Sequence, residues 1–170
     1  MNTQYGNSMT GFSRDLILRD GAMLRFRALR PGDRRALKDL LSRCSPASLR
    51  YRILHAIKAL PEKTFDQLAK VEGSRVFTLV VIHGAGADER IIAVGQYHAL
   101  EDRPALDARP DVAEASFLSK TRCKGAASAR CCSNCWPREH GVNRFSVDAL
   151  ADNHAMLSVF RKAATPCRAQ

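Results

Sequence analysis

Leu24-Arg25-Phe26-Arg27-Ala28-Leu29-Arg30-Pro31-Gly32-Asp33 is the stretch that decides the fold. Leu24, Phe26 and Ala28 alternate with Arg25 and Arg27, the two-residue period of a half-buried strand. Pro31-Gly32-Asp33 breaks that period and offers a helix start, with Asp33 as the expected N-cap. Leu37, Leu40, Leu41 and Cys44 then recur at i, i+3, i+4 and i+7, the stripe of an amphipathic helix. A strand that runs straight into a helix sets a mixed class, and the rest of the chain extends it in both directions.

Upstream, Leu16 to Leu18 is a short apolar run and Asp20-Gly21 a turn. Downstream, Ser45-Pro46 opens a second helix with Leu49, Ile53 and Ile57 inward. Pro61-Glu62 opens a third with Phe65, Leu68 and Ala69. Val76 to Ile82 is a β-branched run that reads as a buried strand. Gly84 to Asp88 is a turn, and Ile91 to Tyr97 completes a hairpin. Residues 101–110 are polar, with two prolines, and read as a loop. Val112 to Leu118 and Phe145 to Val147 are further strands, the latter after the turn residues His140-Gly141. From Asn153 a last helix presents Met156, Phe160 and Ala163 on one side. The expected fold is α/β (α+β), without a regular βαβ alternation. No internal repeat or linker divides it.

The 170 residues are enough to bury the core of one such domain. The first ten residues are polar and lack the apolar core of a signal peptide. No stretch approaches the length a membrane span needs, so a cytoplasmic protein without a membrane partner is expected. The formal net charge of +10 suggests an anionic partner such as nucleic acid. Its distribution weakens that reading. Residues 119–138 hold Lys120, Arg122, Lys124, Arg130 and Arg138, no acidic residue, four of the six cysteines and the single Trp136. The window lacks interleaved aromatics, so no nucleic-acid partner is expected. Cys132-x-x-Cys135 invites zinc, but Cys131 is adjacent and Cys123 stands alone, so no metal is expected. There is no H-E-x-x-H and no G-x-S-x-G.

Several stretches resemble the GNAT superfamily of N-acetyltransferases, in particular the GNAT domain of bacterial protein lysine acetyltransferases. They are Leu18-Arg19-Asp20-Gly21, the Arg27-x-x-Arg30-Pro31-x-Asp33 run and Ser45-Pro46-Ala47-Ser48-Leu49-Arg50-Tyr51-Arg52. Ile91 to Gly95 and Ala113-Glu114-Ala115-Ser116-Phe117-Leu118 resemble the family's third and fourth strands. Asp152 to Ala163 resembles its last helix. The resemblance implies a mostly antiparallel central sheet flanked by helices. It also implies acetyl transfer from acetyl-CoA to an amine, the acceptor being a protein lysine if the nearest likeness holds. The family's final strands are expected to be missing after Ala163. Residues 1–12 are expected to be a disordered N-terminus, 13–163 the domain, and 164–170 an aberrant tail.

After its fourth strand the family carries a glycine-rich loop, Q/R-x-x-G-x-G/A. Main-chain amides there and the following helix N-terminus bind the coenzyme's diphosphate. Ser119 to Arg130 offers only Gly125. A shift of reading frame accounts for this. GC-rich synonymous codons for residues 119–139 allow Q-D-A-L-Q-G-R-G-I-G-T-L-L-L-E-L-L-A-A-R in the alternative frame, which contains the loop and a Leu-rich helix start. Lys124-Gly125 forces Gly or Arg in that frame, and the Cys and Trp codons force Leu, Met or Val. The tail from Ala163 shifts likewise to allow G-Y-A-L-S. The chain is therefore expected to be impaired, or to be a catalytically inactive remnant or regulatory module.

The resemblance also implies site residues. Glu114, on the fourth strand, is the candidate general base; the plainer reading is a surface glutamate. The backbones of Phe117 and Leu118 lie where the family pairs with the pantetheine arm, though both also suit simple core packing. Asn153 is a cofactor contact or a helix N-cap. Phe160 takes the place of a family tyrosine that serves as general acid and has no proton to give. It packs in the core or against the cofactor arm. Lys124 and Gly125 are the remaining candidate phosphate contacts.

Overall fold

A computed structural model describes residues 12–17, 21–54, 60–71, 76–99, 112–119 and 144–163. Six strands form one sheet in chain order: β1 (Ser13–Ile17), β2 (Met23–Ala28), β3 (Val76–His83), β4 (Arg90–Ala99), β5 (Val112–Ser119) and β6 (Arg144–Ser146). The first five pair antiparallel, and β6 pairs parallel to β5. The helices are α1 (Arg34–Ser42), α2 (Pro46–Ile53), α3 (Glu62–Leu68) and α4 (His154–Ala163). This is the expected mixed, mostly antiparallel sheet with helices against it.

The strand period sorts side chains onto two faces. On one, Val80, Ile82, Ile91, Val94 and Leu118 pack with Leu37 and Leu40 of α1 and Phe65 and Leu68 of α3. On the other, Phe26, Phe77, Leu79, Val81 and Tyr97 form a second cluster. Ile92 and Ala93 both belong to this second face because the β3–β4 register slips between Val81 and Ile82. One extra residue in β4 turns two neighbours the same way. In the hairpin turn, Gly84 has φ +92°, and a Cβ there would stand 2.5 Å from the Asp88 carbonyl oxygen. Only glycine fits that position.

Asp33 behaves differently from the expected N-cap. Residues 31–33 form a short 3-10 turn, and the Asp33 carboxylate makes no bond to the first turn of α1. It turns back instead. Oδ2 accepts the Arg30 amide at 2.7 Å and Oδ1 accepts Arg27 Nη2 at 2.8 Å. Burial pushes its pKa up, but the Arg27 and Arg30 contacts outweigh this and hold it below the usual carboxylate range. A bidentate guanidinium is a stronger partner than a single cap amide, so the motif locks β2 to the start of α1. Ser45 does act as a cap, its Oγ accepting the Ser48 amide at 3.1 Å. α2 stops at Leu54, whose φ of +65° returns its amide to the Arg50 carbonyl at 2.8 Å.

Leu18, Asp20, Ile57, the 101–110 loop, the His140-Gly141 turn, the 120–138 part of the window with its cysteines, and the two termini lie outside the described residues.

Candidate active site

The site forms where α2, α3, β4 and β5 meet. Gln96 sits on the helix-covered face of β4, 1% exposed, and all its side-chain bonds can be traced. Nε2 donates to the Gln67 carbonyl and to Thr78 Oγ1, both at 2.9 Å. Thr78 Oγ1 donates onward to the Lys70 carbonyl. A carbonyl only accepts, so the Gln96 amide nitrogen must face α3. Its Oε1 then faces Arg52 Nη2 and His98 Nε2, each at 3.2 Å. An amide oxygen cannot donate. His98 Nε2 therefore carries the ring proton, and Nδ1 is the lone-pair nitrogen of the neutral ring.

Glu114 lies directly across from His98 in the β4–β5 register. Burial lowers the His98 pKa, with the Arg52 and Lys70 charges adding to that and Glu114 opposing it. The ring is therefore neutral at neutral pH. Arg52 is also pushed below its ordinary value by burial, against the pull of Glu114. Its Nε is buried with no hydrogen-bond partner. A cavity of about 320 Å³ opens beside Arg52, Gln96 and His98, lined by these three with Lys70 and the apolar Leu49 and Leu118, among others; Glu114 stands outside its wall.

Of the residues expected from sequence, Glu114 and Leu118 lie on this face of β5, with Leu118 in the cavity wall. Phe117 points to the opposite face, packed against the second core cluster. The parallel β5–β6 register covers only Val112–Glu114, and β5 continues beside β4 through Ser119. Asn153 is buried, and its Oδ1 accepts the Met156 amide at 3.3 Å, which is cap geometry. Arg50 Nη1 reaches Asp152 Oδ2 at 2.8 Å and ties α2 to the start of α4. Phe160 lies within α4, but its side chain falls outside the described residues, as do Lys124 and Gly125. No group of three metal-ligating side chains and no membrane-length apolar helix occurs among the described residues.

Arg52, Gln96 and His98 were not singled out from sequence. The signal was present. Gln96 and His98 interrupt an apolar strand at alternate positions, which puts two polar groups on one buried face.

No family model matches the chain. Solved structures do. The chain is similar to the GNAT domain of S. lividans PAT, with 26% identity, a TM-score of 0.76 and coverage of 92% of this chain and 90% of that one. A GNAT-family acetyltransferase from Streptococcus pneumoniae shares the fold at 16% identity and a TM-score of 0.57, covering 82% of each chain. A cAMP-binding acyltransferase from Mycobacterium smegmatis aligns at 21% identity and a TM-score of 0.52. There this chain spans 43% of the longer protein. With its antiparallel sheet ending in one short parallel pair, and with these likenesses, the chain has the GNAT fold.

Proposed function

We propose that this domain transfers an acetyl group from acetyl-CoA to an amine, which the resemblance would make a protein lysine, and that it works in the cytoplasm. The observation that supports the reading is Glu114, in the short parallel strand pair, set opposite a neutral His98 that lines a cavity. The donor's arm would lie along the Phe117 and Leu118 backbones, with Asn153 at the α4 start close to it. Glu114 takes one proton from the acceptor ammonium. The amine nitrogen then attacks the thioester carbonyl carbon. A C–N bond forms, the C–S bond breaks, and sulfur leaves as thiolate. The second nitrogen proton goes to that thiolate, directly or through solvent, since Phe160 has none to offer. The products are the amide and free coenzyme thiol.

The test is calorimetric titration with acetyl-CoA, followed by thiol release in the presence of amines. Glu114→Gln should lower kcat by about 10²–10⁴-fold while leaving donor binding unchanged. A glutamine variant as fast as the parent would remove Glu114 as base. The missing glycine loop favours a second reading, a domain without turnover, and absence of any acetyl-CoA binding would support it.

A further inference from the structure

A cation partly stripped of water is normally paired, because its desolvation is costly. Arg52 departs from this. Among the described residues it makes one side-chain hydrogen bond, to the neutral Gln96 Oε1, and its buried Nε–H makes none. Glu114 is near enough to influence it, but the two form no ion pair among those found. Lys70 adds a second positive charge to the cavity wall. A neutral side chain in the place of Arg52 would fill the space at lower cost. The charge is thus explained by something that enters the cavity.

Resting on the acyl-transfer reading but replacing its protein-lysine acceptor, we infer that the acceptor is a small α-amino acid whose carboxylate docks on Arg52 while its amine lies by His98, across from Glu114. The spacing supports this. Arg52 and His98 both bond to the same atom, Gln96 Oε1, so a carboxylate site and an amine site lie side by side. An α-amino acid separates its two groups by a single carbon. A lysine side chain in a protein brings no carboxylate so close to its amine. Leu41, Leu49, Ile53, Leu60 and Leu118 in the wall suit an aliphatic side chain.

The probe is L-leucine against L-leucinamide, titrated into the full chain with no acyl donor and followed by NMR shifts. The two share amine and side chain and differ in the carboxylate. Leucine should bind about tenfold more tightly or better, the usual worth of a charge-assisted bond. Arg52→Met should erase that preference and Arg52→Lys should keep part of it. The Met variant should also melt no lower than the parent, since removing a half-buried charge that has no carboxylate partner among the described residues relieves the fold. Equal binding of acid and amide, binding of neither, or a preference that survives in the Met variant would overturn the proposal. So would a lower melting temperature of that variant, which would make Arg52 a structural tie to Gln96, or preferential binding of an end-capped lysine peptide. Leucine binding without any acetyl-CoA binding, even after the glycine loop is restored, would leave this carboxylate site standing and sink the acyl-transfer reading alone.

Discussion

His98 shows how one half-buried side chain writes its environment into the pH dependence of the whole domain. Burial, with Arg52 and Lys70 nearby, holds its folded pKa below the ordinary histidine value of 6.5, while Glu114 pulls the other way. The unfolded chain therefore binds a proton at a higher pH than the folded one. Stability rises with pH wherever the unfolded state holds more protons. It is thus full above about 6.5 and falls as the pH drops from there toward the lower folded pKa, below which the loss levels off. Urea unfolding midpoints at pH 7.5 and 5.5 check this. The parent should lose stability across that interval, and His98→Gln should lose less. A steeper loss in the variant would mean that the ring is charged in the folded state. The glutamine can still donate to Gln96 Oε1, so the network around Thr78 is kept.

At the scale of elements, α4 depends on its first residue. Asn153 Oδ1 accepts the Met156 amide, and its carbonyl accepts Leu157 N at 3.1 Å. Asn153→Ala should cost about 1 kcal/mol by loss of the cap. Asn153→Asp keeps an acceptor and adds charge where the helix dipole favours it, so its melting temperature should match or exceed the parent's. If the aspartate variant melted as low as the alanine one, the cap would not be what holds the helix start. Acetyl-CoA affinity of the same pair tests the second role, since only the amide brings an N–H that a donor oxygen could use. The elements themselves were largely legible in the chain because period and punctuation are local. Alternation gave β2, the Leu37, Leu40, Cys44 spacing gave α1, and Ser45-Pro46 gave the start of α2. The strand that carries Glu114 was legible through its resemblance to a known strand. The cluster of Arg52, Gln96 and His98 was not, because it joins residues 44 positions apart through one amide oxygen. Asp33 was misread for a related reason. Its side chain answers to Arg27, a partner that the local cap pattern ignores.

For the molecule as a whole, binding a coenzyme and binding an acceptor are separable burdens. The cavity proposed for the acceptor is walled mainly by α2, α3, β4 and β5, and all its lining residues lie upstream of residue 120. The resemblance would put a diphosphate grip in the stretch after β5, where the chain has one glycine and five basic residues in place of Q-x-x-G-x-G. Lysine and arginine can attract a phosphate through charge, but they do not supply the close approach of main-chain amides that glycine permits. We therefore propose that a reading-frame change weakened the donor side and spared the acceptor side. Replacing residues 119–138 by the alternative-frame peptide, Q-D-A-L-Q-G-R-G-I-G-T-L-L-L-E-L-L-A-A-R, tests that division. Acetyl-CoA affinity should rise by at least about tenfold, as expected for several restored amide-to-phosphate bonds, while leucine binding stays as it was. The Leu-rich segment should also raise the melting temperature by returning apolar surface to the core. Unchanged acetyl-CoA affinity in a well-folded replacement would remove the frame shift as the origin of the window. The gene sequence across residues 119–139 gives an independent reading of the same point.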